Sequence, residues 1–225
     1  MNNKTKKSNK TTKSNKTTKS CECKLTSSES KKIDKILSFG KKLIGTHRGP
    51  NIKNLSLEKL YNYKKIGPFW ESNSPVPSIK KIKEDGAVCA GLATLLRRKA
   101  GLTVEIKNKD GIQVLGGTEE WFLYYKRKRW LRKFDISKCY PKGTLLLRRF
   151  NLKDQGHFAI IYESNKKGVL YSSLLHSVGW NDGTNKQGVK IDKSVGKSHF
   201  SQYDGNQNKG HYTHVVYPNN WLLKN

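Results

Sequence analysis

Residues 87–96, AVCAGLATLL, form the longest apolar run of the chain and decide its fold. Apolar side chains recur within the run at helical spacing, at Val88, Leu92 and Leu95. Three cations follow the run at once, and Gly101 stands where a glycine commonly ends a helix. The stretch therefore predicts a buried helix that carries Cys89 in or beside its first turn.

Helix signals also occur on both sides of this run. Upstream, Thr26 and Glu29 have the spacing of a capping box, and Gly45 follows the apolar positions as a stop. A second short helix is predicted over Asn54–Tyr63. Downstream, Thr118 is expected to cap a further helix, whose first turn is acidic and whose body is aromatic.

The pattern changes to that of β-strands from about residue 143 onward. Short apolar or alternating segments follow one another, separated by Gly, Asn and Asp turns. Five strands are predicted, at Thr144–Phe150, His157–Glu163, Val169–Ser177, Gly188–Val195 and Thr213–Tyr217. Helices first and strands afterwards indicate an α+β fold with an antiparallel sheet.

Composition divides the chain into a tail and one domain. The tail, residues 1–27, repeats the sequence SNKTTK twice in a row, and residues 1–20 contain no acid. Such a segment cannot bury enough apolar surface to offset its ordering entropy, so we expect it to be disordered. Residues 28–225 are long enough for a single domain with a sizeable core.

Cys89 is the candidate nucleophile. A cysteine at a helix N-terminus meets unsatisfied N–H groups and the positive end of the helix dipole, which lower the pKa of its thiol. A buried structural cysteine is the alternative interpretation, because free cysteines are among the most buried residues.

A thiolate nucleophile also needs an imidazole to accept its proton and a polar group to orient that imidazole. His157 opens one predicted strand, and His176 lies near the end of the next strand. Pairing of the two strands through the Asn165–Gly168 turn would bring these side chains together. His214, in the last predicted strand, competes with His176 for the orienting role.

Three blocks of residues resemble the NlpC/P60 cysteine peptidase superfamily, whose fold is papain-like. The first is Val88-Cys89-Ala90-Gly91-Leu92, a cysteine followed by small residues at the head of a helix. The second is an apolar strand at 143–147, followed by Gly156-His157 ahead of a further apolar run. The third is Leu175-His176-Ser177, a short strand that ends in histidine and a small residue. The resemblance covers about residues 67–180.

The resemblance implies a triad in which Cys89 attacks, His157 acts as base and then as acid, and His176 orients His157. It implies a cysteine hydrolase: an amidase, peptidase or acyltransferase that works through a Cys89 thioester on a peptide, amide or lipid-ester substrate. No cofactor is expected. It further implies a Cys-bearing helix packed on an antiparallel sheet of about five strands, with helices at the N-terminal side.

The chain departs from the bacterial pattern of that superfamily at the nucleophile. Bacterial members usually carry Asp immediately before the cysteine, where this chain has Val88, and their Cys-Ser-Gly is Cys89-Ala90-Gly91 here. The chain is therefore more similar to the divergent members found in large DNA viruses and eukaryotes. A virion is accordingly one expected location.

The formal net charge is +28, from 45 basic and 17 acidic residues. This imbalance predicts attraction to nucleic acid or anionic membranes, through the tail and through Lys126–Lys133, the densest basic run of the folded part. A solvated helix face is the simpler interpretation of that run. Two alternatives to the hydrolase follow: an inactive papain-like packaging protein that binds nucleic acid, and a lipid acyl hydrolase at anionic membranes.

The cysteine pattern and the absence of long apolar segments bear on the compartment. Four cysteines, two of them in the tail, show no disulfide framework, which is typical of a reducing compartment such as the cytoplasm. The first 24 residues contain no apolar stretch, so neither a signal peptide nor a transmembrane helix is expected. Neither His211 with His214 nor Cys21 with Cys23 extends to four ligands at zinc spacing, so no metal site is expected.

Overall fold

The computed structural model describes residues 24–49, 69–70, 75–103, 117–148, 156–178, 188–197 and 212–225. Residues 1–23 of the predicted tail and the helix predicted over Asn54–Tyr63 lie outside the described residues. The end of the predicted tail, residues 24–27, is described, and it is not disordered, because Thr26 and Ser27 form the start of the first helix. Within the described residues the α-helices are α1 (Ser27–Lys42), α2 (Ile79–Asp85), α3 (Cys89–Lys99), α4 (Thr118–Arg127) and α5 (Pro218–Trp221). Two 3-10 turns cover Val169–Tyr171 and Val195–Lys197.

The local helix signals of the sequence hold at the start of α1 and at the end of α3. Thr26 caps α1 through a complete capping box with Glu29. The Cys89 helix ends at Lys99, and Gly101 follows with a φ of +78°, a backbone conformation that glycine adopts at little cost. Thr118 is different: it is the first residue of α4, and Gly117 is the cap residue.

Six strands form one antiparallel sheet within the described residues. They are β1 (Arg132–Lys133), β2 (Leu145–Arg148), β3 (His157–Glu163), β4 (Ser173–Val178), β5 (Gly188–Asp192) and β6 (His214–Val216), in the spatial order β1-β6-β2-β3-β4-β5. Every pair of neighbours is antiparallel. The predicted α+β class with an antiparallel sheet is therefore confirmed.

The strand count differs from the predicted five because of the basic run Lys126–Lys133. This run is not one helix face: α4 ends at Arg127, and Arg132 and Lys133 form β1 at one edge of the sheet. Two short helices, α2 and α5, were also missed. Ser78 caps α2 and Gly86 ends it, so both signals were present around a segment for which no element was predicted.

The sheet separates two apolar clusters. On one face, side chains of the sheet that include Leu147, Phe158 and Leu175 pack against α1 and α3. On the other face, Leu146, Ala159 and Leu174 pack with Val169, Val195, Tyr140 and Tyr212. This alternation follows from the two-residue period of a strand and places both clusters against the central strands β3 and β4. Among the described residues, no helix combines the length and the apolarity needed to cross a bilayer.

Candidate active site

Cys89 is the first residue of α3, and no side chain caps this helix. The cap residue is Val88, which has no hydrogen-bonding side chain. The segment before the helix is tied to the sheet, because the Ser177 hydroxyl on β4 donates to the carbonyl of Ala87. The sulfur of Cys89 therefore meets the uncapped amino end of α3 at a fixed position against the central strands.

Backbone N–H groups of Phe158, Ala90 and Cys89 itself surround the sulfur and favour its thiolate, as does the positive charge of Arg48. Burial opposes them and is the largest effect, so that the pKa of the Cys89 thiol is raised above its ordinary value. The helix N-terminus alone predicted a lowered pKa. The pKa is raised instead because the free-energy cost of removing the thiolate from water exceeds the stabilisation that these partial charges provide.

His157 and His176 are brought together across β3 and β4. The Nε2 atom of His157 lies 3.0 Å from Nδ1 of His176, a hydrogen-bonding distance. Both side chains are buried, with 2% and 0% of their surface exposed. Register explains the contact: Ala159 on β3 faces His176 on β4, so His157 at the start of β3 is the diagonal neighbour on the same face.

Asp192 lies on the other side of His176, at the end of β5. Its Oδ2 atom is 2.9 Å from Nε2 of His176. It is a close polar contact, in which the carboxylate oxygen is not aligned with the ring N–H as in a strong hydrogen bond. The three side chains thus form a row, His157–His176–Asp192, that crosses three neighbouring strands.

The thiol is linked to this row through the backbone at the beginning of β3. Phe158, whose backbone N–H is directed at the Cys89 sulfur, is the residue directly after His157. The helix packs on one face of the sheet, while the row lies on the face that carries Ala159 and Leu174. The Phe158 N–H therefore places the Cys89 sulfur one residue along β3 from His157, the terminal residue of the strand.

A short segment, residues 45–49, crosses the site and is called the strap here. Its backbone bonds to β5 through the Val189 N–H and the Thr46 carbonyl at 2.8 Å. It also bonds to the Cys89 loop through the Ala87 N–H and the His47 carbonyl at 2.8 Å. The strap carries Arg48, the cation that acts on the Cys89 thiol.

Glycines make room for the strap on both sides. A Cβ atom at Gly86 would stand 2.7 Å from the backbone nitrogen of Gly49, and one at Gly188 would overlap the carbonyl of Thr46. Both glycines also have positive φ angles, +85° and +114°. The strap, the Cys89 loop and β5 are therefore packed backbone to backbone, which fixes the positions of Arg48 and Asp192 relative to one another.

The other candidate side chains of the sequence lie elsewhere. His214, on β6, packs edge-on against Phe122 with ring centroids 4.9 Å apart, and its Nδ1 lies 2.9 Å from the Thr213 hydroxyl. The structure thus places His176, and not His214, beside His157. Cys139 is disulfide-bonded, whereas Cys89 is a free cysteine. The bond at Cys139 departs from the expectation that the cysteines show no disulfide framework.

Within the described ranges, no three or more His, Cys, Asp or Glu side chains form a group that could hold a metal ion. The histidine rings can accept and donate protons, and the Cys89 sulfur can act as a nucleophile.

Two members of the site were missed by sequence reasoning, Asp192 and Arg48. Asp192 could have been found by extending the strand argument one step, since β5 was predicted and its pairing with β4 places it diagonally opposite His176. Arg48 gave no such signal, because it belongs to a segment without periodicity that only the tertiary fold brings to Cys89.

No family model matches the chain, and neither curated proteins nor solved structures include a significant match. The function has to be argued from the side chains themselves.

Proposed function

We propose that this protein is a cysteine hydrolase with a papain-like domain of the NlpC/P60 type. Cys89 is the nucleophile, His157 the general base and His176 the residue that orients His157. The hydrogen-bonding contact between His157 and His176 carries the proposal, because it supplies the oriented imidazole that a cysteine nucleophile requires. The position of Cys89 beside the backbone of Phe158 supports it further.

The reaction begins from a neutral thiol, because burial raises the pKa of Cys89. A raised pKa means that the thiolate is scarce at neutral pH, so the proton has to leave as the substrate arrives. His157 accepts the proton from Sγ while the sulfur attacks the carbonyl carbon of an amide or ester. Arg48 and the nearby backbone N–H groups favour the negative charge that develops on the sulfur.

The tetrahedral intermediate then breaks down to a thioester on Cys89. The imidazolium of His157 returns its proton to the leaving amine or alcohol. Water, activated by His157, cleaves the thioester in an amidase, peptidase or lipid-ester hydrolase. An acceptor amine or alcohol in place of water makes the same protein an acyltransferase. All of these substrate classes share the carbonyl carbon that the sulfur attacks.

An activated ester tests the proposal without knowledge of the natural substrate. We expect p-nitrophenyl acetate to give a burst of nitrophenolate with one acetyl group on Cys89, located by peptide mass mapping. Cys89→Ala should abolish the burst. His157→Gln should slow acylation by about 10²–10⁴-fold, the range typical of a general base.

His214→Gln is the matched control, since it makes the same change at the histidine that packs against Phe122. It should leave the burst unchanged. Acetylation at sites other than Cys89, or an equal loss of rate in both histidine variants, would refute the proposed chemistry.

A second candidate function is binding of nucleic acid at the end of α4 and along β1. Six exposed cations favour it: Lys126, Arg127, Lys128, Arg129, Arg132 and Lys133. The Lys128 ammonium lies 5.7 Å from the ring centroids of both Tyr124 and Trp130, which anchors part of this surface. β1 is an edge strand, so its cations project from the rim of the sheet.

Filter binding of duplex DNA across a salt series tests this second function. The double variant Arg132→Gln with Lys133→Gln should lower the slope of log affinity against log salt by about 1 to 2, because each lost phosphate contact accounts for roughly 0.9. The control variant Lys31→Gln with Lys35→Gln removes the same charge from exposed positions of α1. Equal effects of the two variants would show that net charge alone attracts DNA.

A further inference from the structure

We infer that Asp192 is a positioning residue that sets which nitrogen atoms of His176 and His157 carry protons. The inference rests on the proposed function, in which His157 has to accept the proton of Cys89. It goes beyond that function because it assigns a role to a fourth side chain and a tautomer to each histidine.

The placement of Asp192 follows from the register of β4 and β5. His176 faces Lys190, and Asp192 lies two residues further along β5, on the same face of the sheet. One carboxylate oxygen, Oδ2, lies 2.9 Å from Nε2 of His176, and the other, Oδ1, lies 3.4 Å from the Lys190 ammonium. The Asp192 side chain is 17% exposed and the His176 side chain 0%, so little water intervenes.

This distance decides the proton position on His176. A carboxylate oxygen carries only lone pairs, and an unprotonated ring nitrogen would present another lone pair to it at 2.9 Å. The charge of the carboxylate and the partial negative charge of an unprotonated nitrogen repel one another at that separation, and the buried surroundings screen the repulsion poorly. Nε2 of His176 therefore carries the proton, even though the carboxylate is not aligned for a strong hydrogen bond.

The proton position on His176 then fixes that of His157. A neutral His176 with its proton on Nε2 has a lone pair on Nδ1, and this atom lies 3.0 Å from Nε2 of His157. Nε2 of His157 must donate into that lone pair, so it carries the proton. The lone pair of neutral His157 is left on Nδ1, the nitrogen that accepts the proton of Cys89 in the proposed reaction.

Loss of the Asp192 charge should reverse these tautomers of His176 and His157. An amide at position 192 can present its NH₂ group to His176 and favour the opposite tautomer, with the proton on Nδ1. That proton would be donated to Nε2 of His157, and the remaining proton of His157 would occupy Nδ1. His157 could then no longer accept a proton from Cys89. Replacing the orienting aspartate of a Ser-His-Asp triad by asparagine has this kind of consequence.

The experiment compares Asp192→Asn with Asp34→Asn in the full chain. Asp34 pairs with Lys142, and both side chains line a cavity of about 480 Å³. Glu163 lines the same cavity and is the last residue of β3, at the opposite end of the strand from His157. Both variants exchange a carboxylate for an isosteric amide and remove one negative charge. Two readouts are used: acylation of Cys89 by p-nitrophenyl acetate, and the protonation of each ring nitrogen from long-range ¹H–¹⁵N correlation spectra.

We expect the wild-type protein to show protons on Nε2 of both His157 and His176, assigned with His157→Gln and His176→Gln. In Asp192→Asn, protons should appear on Nδ1, and acylation should fall by roughly 10–100-fold, as is usual when the orienting partner of a functional histidine is removed. Asp34→Asn should match the wild type in both readouts.

The inference is overturned by a wild-type proton on Nδ1 of His176, or by unchanged tautomers in Asp192→Asn whatever its acylation rate. Failure of the proposed function looks different, since Cys89→Ala would then show the same acylation as the wild type while the tautomers still shifted in Asp192→Asn.

Discussion

Replacing Gly188 by alanine should destabilise the fold through the strap that crosses the candidate active site. Gly188 opens β5, with a φ of +114°, and a Cβ there would overlap the carbonyl of Thr46 and stand 3.0 Å from the Cα of His47. The neighbouring atoms are backbone, so they cannot move aside as a flexible side chain would. The strap has to separate from β5 to admit the methyl group.

The cost has two parts that the structure defines. Holding alanine at a positive φ costs about 1–2 kcal/mol. Separating the strap from β5 breaks the bonds from Gly45 N–H to the Val189 carbonyl, at 2.9 Å, and from Val189 N–H to the Thr46 carbonyl, at 2.8 Å. At about 1 kcal/mol for each hydrogen bond, the free energy of unfolding should fall by about 3–4 kcal/mol in total.

Gly101→Ala is the matched control for the backbone part. Gly101 also has a positive φ, +78°, but a Cβ there would meet nothing within 4 Å. It should cost only the first part, about 1–2 kcal/mol. Urea unfolding followed by tryptophan fluorescence separates the two, because a difference of about 2 kcal/mol moves the midpoint by roughly 1 M at a typical slope. Equal midpoints for the two variants would refute the packing argument.

Two further predictions concern the Cys89 thiol and the helix that carries it. Burial raises the pKa of Cys89. The rate of its alkylation by iodoacetamide should therefore keep increasing with pH where the rate for an ordinary thiol, with a pKa of about 8.5, has levelled off. An inflection of the rate near neutral pH would show a resting thiolate instead. Arg97→Met should lower the free energy of unfolding by about 3–5 kcal/mol. The guanidinium of Arg97, on α3, is fully buried and donates to the carbonyls of Trp221 and Lys224 at 2.5 and 3.0 Å, so that it holds the C-terminal segment in place. Urea unfolding measures this loss, and Arg127→Met, at an exposed position of α4, is the control that should stay near the wild type.

Local sequence signals correctly predicted the helix ends that are marked by capping residues or glycine. The capping box of Thr26 and Glu29 and the glycine at 101 act within one or two turns, so their free energy is decided by neighbours in sequence. The same holds for β3, whose predicted bounds, His157–Glu163, match the structure. Local signals failed where one run of charge crosses two elements, as Lys126–Lys133 does between α4 and β1.

The sheet order was not available from local signals. β6 lies between β1 and β2, and β1 is only two residues long, so its pairing depends on where the rest of the chain has already folded. A strand of that length has no periodicity of its own. Its existence is a consequence of β6, whose register faces Arg132 with Val215.

The sequence by itself determined that a helix carries Cys89 in or beside its first turn and that His157 opens a strand, since spacing and glycines act over short distances. Only the tertiary structure decided that His176 and not His214 contacts His157, that Asp192 continues the row, and that the strap brings Arg48 to the thiol. It also decided the direction of the Cys89 pKa, because burial is a property of everything packed around the sulfur. Contacts across a sheet depend on register, and a shift of one residue turns each side chain to the opposite face.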